Sequence, residues 1–300
     1  MNLTAALILD ALFGEPDWLW RRLPHPAVLL GRLVGALDDR LNRGGGRRAK
    51  GVLALIALIA FAATVGWVIT ILPLSPLAEI IVAAILLAQR SLADHVAAVA
   101  AGLDESVEAG RAAVAHIVGR DTAAMDEPAI ARAAIESGAE NFSDGIVAPA
   151  FWFVVGGLPA MLAYKAINTA DSMIGYRTER HEAFGWAAAR LDDLVNLPAS
   201  RLSALLISLS ALSAAPFSAA MRGAHLHRSP NAGWPEAAMA SCIDVALAGP
   251  RVYHGTPTDD PFVNPEGRKT IGAAEVRDAV RVLWRAWAVL LALTLVAAAL

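Results

Sequence analysis

None of the 25 Lys and Arg residues of this 300-residue chain falls in 51–89, in 133–164, in 202–221 or after Arg285. A cationic side chain is costly in hydrocarbon, so long cation-free aliphatic windows are what a bilayer demands of a chain. Hydrophobic residues make up 56% and charged residues 18%, against about 45–50% and about 25% in soluble domains. Aromatics are only 6%, so the excess is Ala, Leu, Val and Ile. The expected fold class is therefore all-α: a polytopic helical membrane protein, forming a single integral membrane domain over 1–300.

The apolar spans are expected at about 1–13, 51–72, 77–90, 145–164, 202–221 and 283–300. Residues 51–72 are long enough for the roughly 30 Å hydrocarbon core. The turn Pro73-Leu74-Ser75-Pro76 ends one helix and permits the next. Stretch 145–164 carries Pro149, Gly156-Gly157 and Pro159, and reads as a re-entrant or broken helix, since irregular backbone at membrane depth is tolerated only where protein or a cavity satisfies it. Between the spans, 91–144 reads as a helical insert: Val96, Val99, Leu103, Val107 and Val114 recur at three- and four-residue steps.

Orientation follows from the basic residues. Residues 14–50 hold eight Lys or Arg and the turn at 73–76 holds none, which predicts a cytoplasmic first loop and a cytoplasmic insert. Met1–Leu12 lacks a basic n-region and is interrupted by Asp10, so no cleavable signal peptide is expected. A net charge of −3 gives no reason to expect nucleic acid, and Cys242, the lone cysteine, excludes an intrachain disulfide.

Three polar clusters bracket the 145–164 stretch. In the first, Glu136, Glu140 and Asp144 stand at i, i+4 and i+8, which on a helix puts three like charges on one face. A bound cation reverses their repulsion; a solvated face is the alternative. In the second, Lys165, Asn168 and Asp171 share a helix face, with Arg177 following. Hard oxygen ligands of this kind suit Mg2+ held jointly with substrate phosphates, and the basic neighbours balance phosphate charge. A capped helix with an interfacial lysine is the bland reading. In the third, Arg190, Asp192, Asp193, Asn196 and Arg201 form a DDxxN set. Alone it is weak, since Asp pairs are common at helix starts. His25 lies between Pro24 and Pro26 in a stiff segment, and Asn231 lies in a late polar turn. No Walker A motif, GxGxxG after a strand, Cys/His zinc spacing or nucleophile elbow is present, so phosphate handling would fall to carboxylates and basic side chains.

These words, in order, carry a resemblance to a known family. They are Leu9-Asp10, Gly14-Glu15-Pro16, His25-Pro26 and Gly31-Arg32, then Val118-Gly119-Arg120-Asp121-Thr122 and Ala139-Glu140-Asn141 with Asp144-Gly145. Asn168-Thr169, Asp171-Ser172-Met173, Gly175-Tyr176, Asp192-Asp193, Asn196, Arg201 and Ser229-Pro230-Asn231 complete them. The chain resembles the CobD/CbiB family of cobalamin biosynthesis, adenosylcobinamide-phosphate synthase, over nearly its whole length. Glu15 stands where the family often has aspartate, so the carboxylate is kept.

The resemblance implies an ATP- and Mg2+-dependent ligase of the cytoplasmic membrane. Its amide ligation joins aminopropanol phosphate to a propionate carboxyl of adenosylcobyric acid. Its partners are then that corrinoid, the amine and the lipid bilayer, with other membrane-bound corrinoid-pathway enzymes and a second copy of the chain as further expectations. On this reading Mg2+ is held among Glu140, Asp144, Asp171, Asp192 and Asp193. Lys165, Arg177, Arg190 and Arg201 offset phosphoryl-transfer charge. Arg120, Asn141, Asn168, Asn196 and Asn231 contact substrate or phosphate, and Glu136 or His25 takes the amine proton. Two rivals stay open: a Mg2+-dependent membrane prenyl- or phospho-alcohol transferase, and a corrinoid transporter.

Overall fold

The computed structural model describes residues 1–119, 121–253, 256–258 and 260–299; Arg120 and Leu300 lie outside them. In chain order the helices are α1 (Asn2–Phe13), α2 (Asp17–Trp20), α3 (Pro26–Leu41), α4 (Arg47–Ile71), α5 (Ser75–Leu86), α6 (Gln89–Glu105) and α7 (Val107–Val114). Then come α8 (Glu127–Phe142), a π-helical turn (Ser143–Val147), α9 (Ala148–Ile174), α10 (Trp186–Val195), α11 (Leu197–Ser210), α12 (Ala215–Gly223), α13 (Gly233–Cys242) and α14 (Ala273–Ala299). Four helical stretches are long and apolar enough to cross a membrane: Arg47–Ile71, Ser75–Glu105, Glu127–Ile174 and Ala273–Ala299. The protein is a helical membrane protein.

The chain divides into two compact units. Unit 1 holds residues 1–88 and 144–197, and α4 is its axis, packing on α9, α10, α3 and α5 while α1 lies against α5. The sequence of α4 explains this. Its inward face is mostly small (Gly51, Ala54, Ala62 and Gly66 are buried with Leu55 and Leu58), which allows close backbone approach in the manner of membrane helix pairs. Leu53, Ile56, Phe61 and Trp67 on the other side are more than half exposed, a surface that suits lipid rather than water. Helix α9 is broken as expected. Gly156 and Gly157 leave helical geometry, Gly157 at φ +64°, a conformation that a side chain would strain. Pro159 follows and has no amide hydrogen for the next turn.

Unit 2 holds residues 89–143 and 198–300. Helix α6 packs on α7, α8 and α14, while α13 packs on α8 and α12. Two small two-stranded antiparallel sheets interrupt the helices: β1 (Leu247–Ala248) pairs with β4 (Phe262–Val263), and β2 (Arg251–Tyr253) pairs with β3 (Thr256–Thr258). They are too short to have left a period-2 pattern.

Three expected spans change. The arm expected at 77–90 runs only over α5, because Leu87 adopts extended backbone before α6 begins. The stretch 202–221 is two helices, α11 and α12. Serines end the first. Ser210 Oγ donates to the Ile207 carbonyl, and Ser208 Oγ donates to the Ser213 carbonyl while accepting from the Phe217 amide. Side chains of this kind compete with the helical ladder, and Pro216 is pre-set for the first turn of α12. At its 14 residues, α11 rises about 21 Å, short of the hydrocarbon thickness. Helix α14 starts at Ala273, well before residue 283.

Candidate active site

In unit 1, α9 and α10 pack against each other. Trp152 Nε1 donates to the Val195 carbonyl at 3.2 Å, fixing the end of α10 against the first half of α9. Residues three and four apart on facing helices then meet. Asn196 Nδ2 donates to Asp192 Oδ2 at 3.0 Å and Asn168 Nδ2 reaches Asp192 Oδ1 at 3.4 Å. The Tyr164 hydroxyl lies 3.0 Å from Asn196 Oδ1 and 3.1 Å from the Asp144 carbonyl, either of which accepts its proton. Tyr164 and Asn196 are each 1% exposed and Asp192 9%, so the network is dry.

Burial pushes the Asp192 carboxyl up to about 6, the neighbouring Asp193 charge adds to the rise, and the two amides pull it back only in part. A buried carboxylate with a pKa near neutrality, set among amides, is a functional-site signature. Asp144 sits in the π-helical turn, an irregularity that recurs at functional sites. Half-buried Lys165 feels the charges of Asp144 and Glu15.

Asp193 points to different surroundings. It lines a cavity of about 240 Å3 with Tyr176, Arg177, Trp186 and Arg190, and its carboxyl is raised by burial while Arg190 and Arg177 oppose the rise. Asp171 is turned toward the end of α9: a Cβ on Gly175 would fall 2.0 Å from Asp171 Oδ1, so this position admits only glycine.

His25 caps α3. Its Nδ1 accepts the Ala27 amide at 3.1 Å, so the neutral ring carries its proton on Nε2, which is buried without a hydrogen-bond partner. The ring meets Trp20 edge-on at 4.5 Å. Burial pulls His25 below its ordinary pKa, outweighing Glu15 and the nearby Ile85 carbonyl. In this arrangement His25 is a neutral donor with its lone pair already committed.

A second set in unit 1 was not predicted. Buried Asp38 on α3 receives Arg180 Nη2 at 2.6 Å and Nε at 3.0 Å, Asn42 Nδ2 at 2.7 Å, and stands 3.3 Å from His181 Nε2. Burial alone would raise Asp38; these hydrogen bonds hold it below the usual carboxylate range instead. The cluster pins the 175–185 connection that feeds α10.

The other predicted residues belong to unit 2. Glu136 is buried, and its Oε1 accepts the Ala248 amide at 2.8 Å. Glu140 and Asn141 are exposed on the last turn of α8, and Asn141 Nδ2 donates to the Ser137 carbonyl at 2.9 Å. The π-helical turn adds a residue to the repeat, so the four-residue spacing does not carry one face from Glu136 through to Asp144. Among the described residues no group of three His, Cys, Asp or Glu side chains converges to hold a metal. Mg2+ needs no such group, being held by one or two carboxylates with waters and substrate phosphates. Asp192 offers one such carboxylate, its oxygens here accepting from the Asn196 and Asn168 amide nitrogens. Asn231 Oδ1 accepts from Ser200 Oγ at 3.1 Å and from Arg201 Nη1 at 2.9 Å, and the Arg201 guanidinium lies 4.7 Å from the Trp234 ring centroid. His227 Nε2 stands 3.5 Å from buried Glu236 Oε1, a pair that no helical or strand spacing marks.

Comparison with known proteins adds a family model described as "CobD/Cbib protein", which matches residues 3–283. A Sinorhizobium protein named "Cobalamin biosynthesis protein CobD" is 51% identical, covering 96% of this chain and 94% of its own length. Proteins of that name from Rhizobium meliloti (50%; 96% and 93% covered) and Rhodobacter capsulatus (46%; 88% of each) are similar. No solved structure matches the chain at a significant level.

Proposed function

The chain belongs to the CobD/CbiB family and is a membrane protein of cobalamin biosynthesis, and on that premise we propose that it ligates aminopropanol phosphate to adenosylcobyric acid at the expense of ATP. The observation that carries this reading is Asp192, a buried carboxylate with a pKa of about 6 held by Asn168 and Asn196. A carboxylate kept where its charge is costly suits a site that receives a cation with a phosphate-bearing substrate.

A carboxylate and an ammonium do not condense unaided, so the acid must be activated. In the proposed sequence a propionate oxygen takes the terminal phosphoryl group of ATP and ADP leaves. The amine, as free base, then attacks the acyl carbon; phosphate departs and the amine proton passes to solvent. Asp192 and Asp144 would hold Mg2+, which supplies charge neutralisation at the phosphates. Lys165, which feels the charges of Asp144 and Glu15, would offset negative charge building on the transferring group. Glu136 and His25 serve here as a backbone anchor and a neutral hydrogen-bond donor rather than as bases. The eight basic residues of 14–50 support a cytoplasmic orientation of that face, in a multi-pass protein of the cytoplasmic membrane.

The test is reconstitution of the purified protein in nanodiscs with ATP, Mg2+, adenosylcobyric acid and aminopropanol phosphate. The expected products are adenosylcobinamide phosphate, ADP and phosphate in equal amounts. Release of pyrophosphate or a nucleoside monophosphate would instead make it a transferase, and corrinoid flux in vesicles without turnover would make it a transporter.

A further inference from the structure

The cavity at the start of α10 combines three chemistries that no residue role above unites. Tyr176 (60% exposed) and Trp186 (39% exposed) supply aromatic surface to its wall. Arg177 and Arg190 supply guanidinium groups beside the half-exposed carboxylate of Asp193, with Arg190 Nη1 3.9 Å from Asp193 Oδ2. Glu182 supplies a further carboxylate to the wall. Trp186 is braced: the Arg48 guanidinium sits 3.7 Å from its ring centroid, which fixes a large apolar ring at a polar rim.

We propose that this cavity receives the nucleotide of the phosphoryl donor, its base against Tyr176 and Trp186 and its phosphates toward Arg177 and Arg190. The inference rests on the ATP-dependent ligase reading and deepens it. Size and chemistry choose among the substrates of that reading. Whole-ligand pockets run to roughly 300–1,000 Å3, so about 240 Å3 excludes a corrin macrocycle and encloses the base of a nucleotide whose ribose and phosphates lie at its rim. Aminopropanol phosphate has no π surface and would leave both aromatic walls unused. A purine uses them, since aromatic stacking is sequence-tolerant and every base offers a face. Paired guanidiniums suit phosphate oxygens bidentately, and a carboxylate such as Glu182 suits ribose hydroxyls.

The experiment is photolabelling of the nanodisc protein with 8-azido-ATP, alongside steady-state kinetics of Trp186→Leu, Tyr176→Leu and the control Arg43→Ala, which lines a separate cavity of the same unit. The expected label falls within 175–193 and is chased by ATP. Each aromatic variant raises KM for ATP by about 10-fold and leaves KM for aminopropanol phosphate unchanged, whereas the control changes neither. Tyr176→Leu, at an exposed position, keeps the test decisive even if Trp186→Leu misfolds. Label elsewhere, or an unchanged KM for ATP in a folded Tyr176→Leu protein, overturns the nucleotide assignment while ATP-driven ligation still stands. A shift confined to aminopropanol phosphate gives the cavity to the amine and also overturns it. Ligation that proceeds without ATP removes the ligase reading and this inference together.

Discussion

Asn196 Nδ2 donates to Asp192 Oδ2 across one turn, 3.0 Å apart, with both residues buried and the Asn196 carbonyl oxygen facing the Tyr164 hydroxyl. The pair holds a carboxylate in a largely buried position, and that has an energetic signature. Asp192→Asn is expected to lower ligation by orders of magnitude yet leave the fold more stable at pH 7. The pKa rise from 3.8 to about 6 corresponds to about 3 kcal/mol at most, at 1.36 kcal/mol per unit, less whatever hydrogen bonding the second amide loses. Denaturation in detergent beside the turnover assay checks both halves; wild-type turnover, or clear destabilisation, would sink the assignment.

The same group sets a pH dependence. An acid whose folded pKa is raised loses stability as it ionises, so the cost of Asp192 grows from pH about 4 to about 6 and is constant above. If turnover needs the ionised form, activity falls as pH drops through about 6. Mg2+ at Asp192 favours the carboxylate, so raising Mg2+ should move that midpoint to lower pH. A midpoint indifferent to Mg2+ would remove the metal from Asp192.

The membrane helices were legible because a bilayer imposes one condition on every residue of a span, and α4 and α14 meet it in composition alone. Stretch 202–221 misled because Ser208, Ser210 and Ser213 end a helix through side-chain hydrogen bonds that no hydropathy window registers. In the site, Asn168, Asp192 and Asn196 were legible from short spacings on single helices. Tyr164 was hidden in an apolar run, and Asp38 with Arg180 lie 142 positions apart, so no local period joins them. Glu136 read as part of an acidic face because its partner, the Ala248 amide, is 112 positions away.

The Asp38 cluster predicts an asymmetry. Arg180→Ala leaves a buried carboxylate without its main partner and is expected to lower stability measurably. Asp39→Ala, removing an exposed partner of the same guanidinium, is expected to cost under about 0.5 kcal/mol. Because the folded pKa of Asp38 is depressed, its contribution is present above the unfolded carboxylate pKa and is lost as pH falls through the folded value. Denaturation of both variants at pH 7 and at acid pH checks this, and equal losses at pH 7 would show the cluster to be a surface ion pair.

Glu136 separates anchoring from catalysis. Its Oε1 accepts the amide of Ala248, the last residue of β1, at φ +57°. Left-handed backbone at a non-glycine residue needs surrounding contacts to hold it. Gln keeps an acceptor oxygen of the same reach but cannot take a proton at neutral pH; Ala keeps neither. An anchor therefore predicts that Glu136→Gln retains most turnover, while Glu136→Ala loses about 1–3 kcal/mol of stability for the unpaired buried amide. A base predicts that Gln is as inactive as Ala even when folded. Turnover and denaturation of the two variants distinguish these outcomes. Loss of ligation in a stable Glu136→Gln protein would return Glu136 to the chemistry.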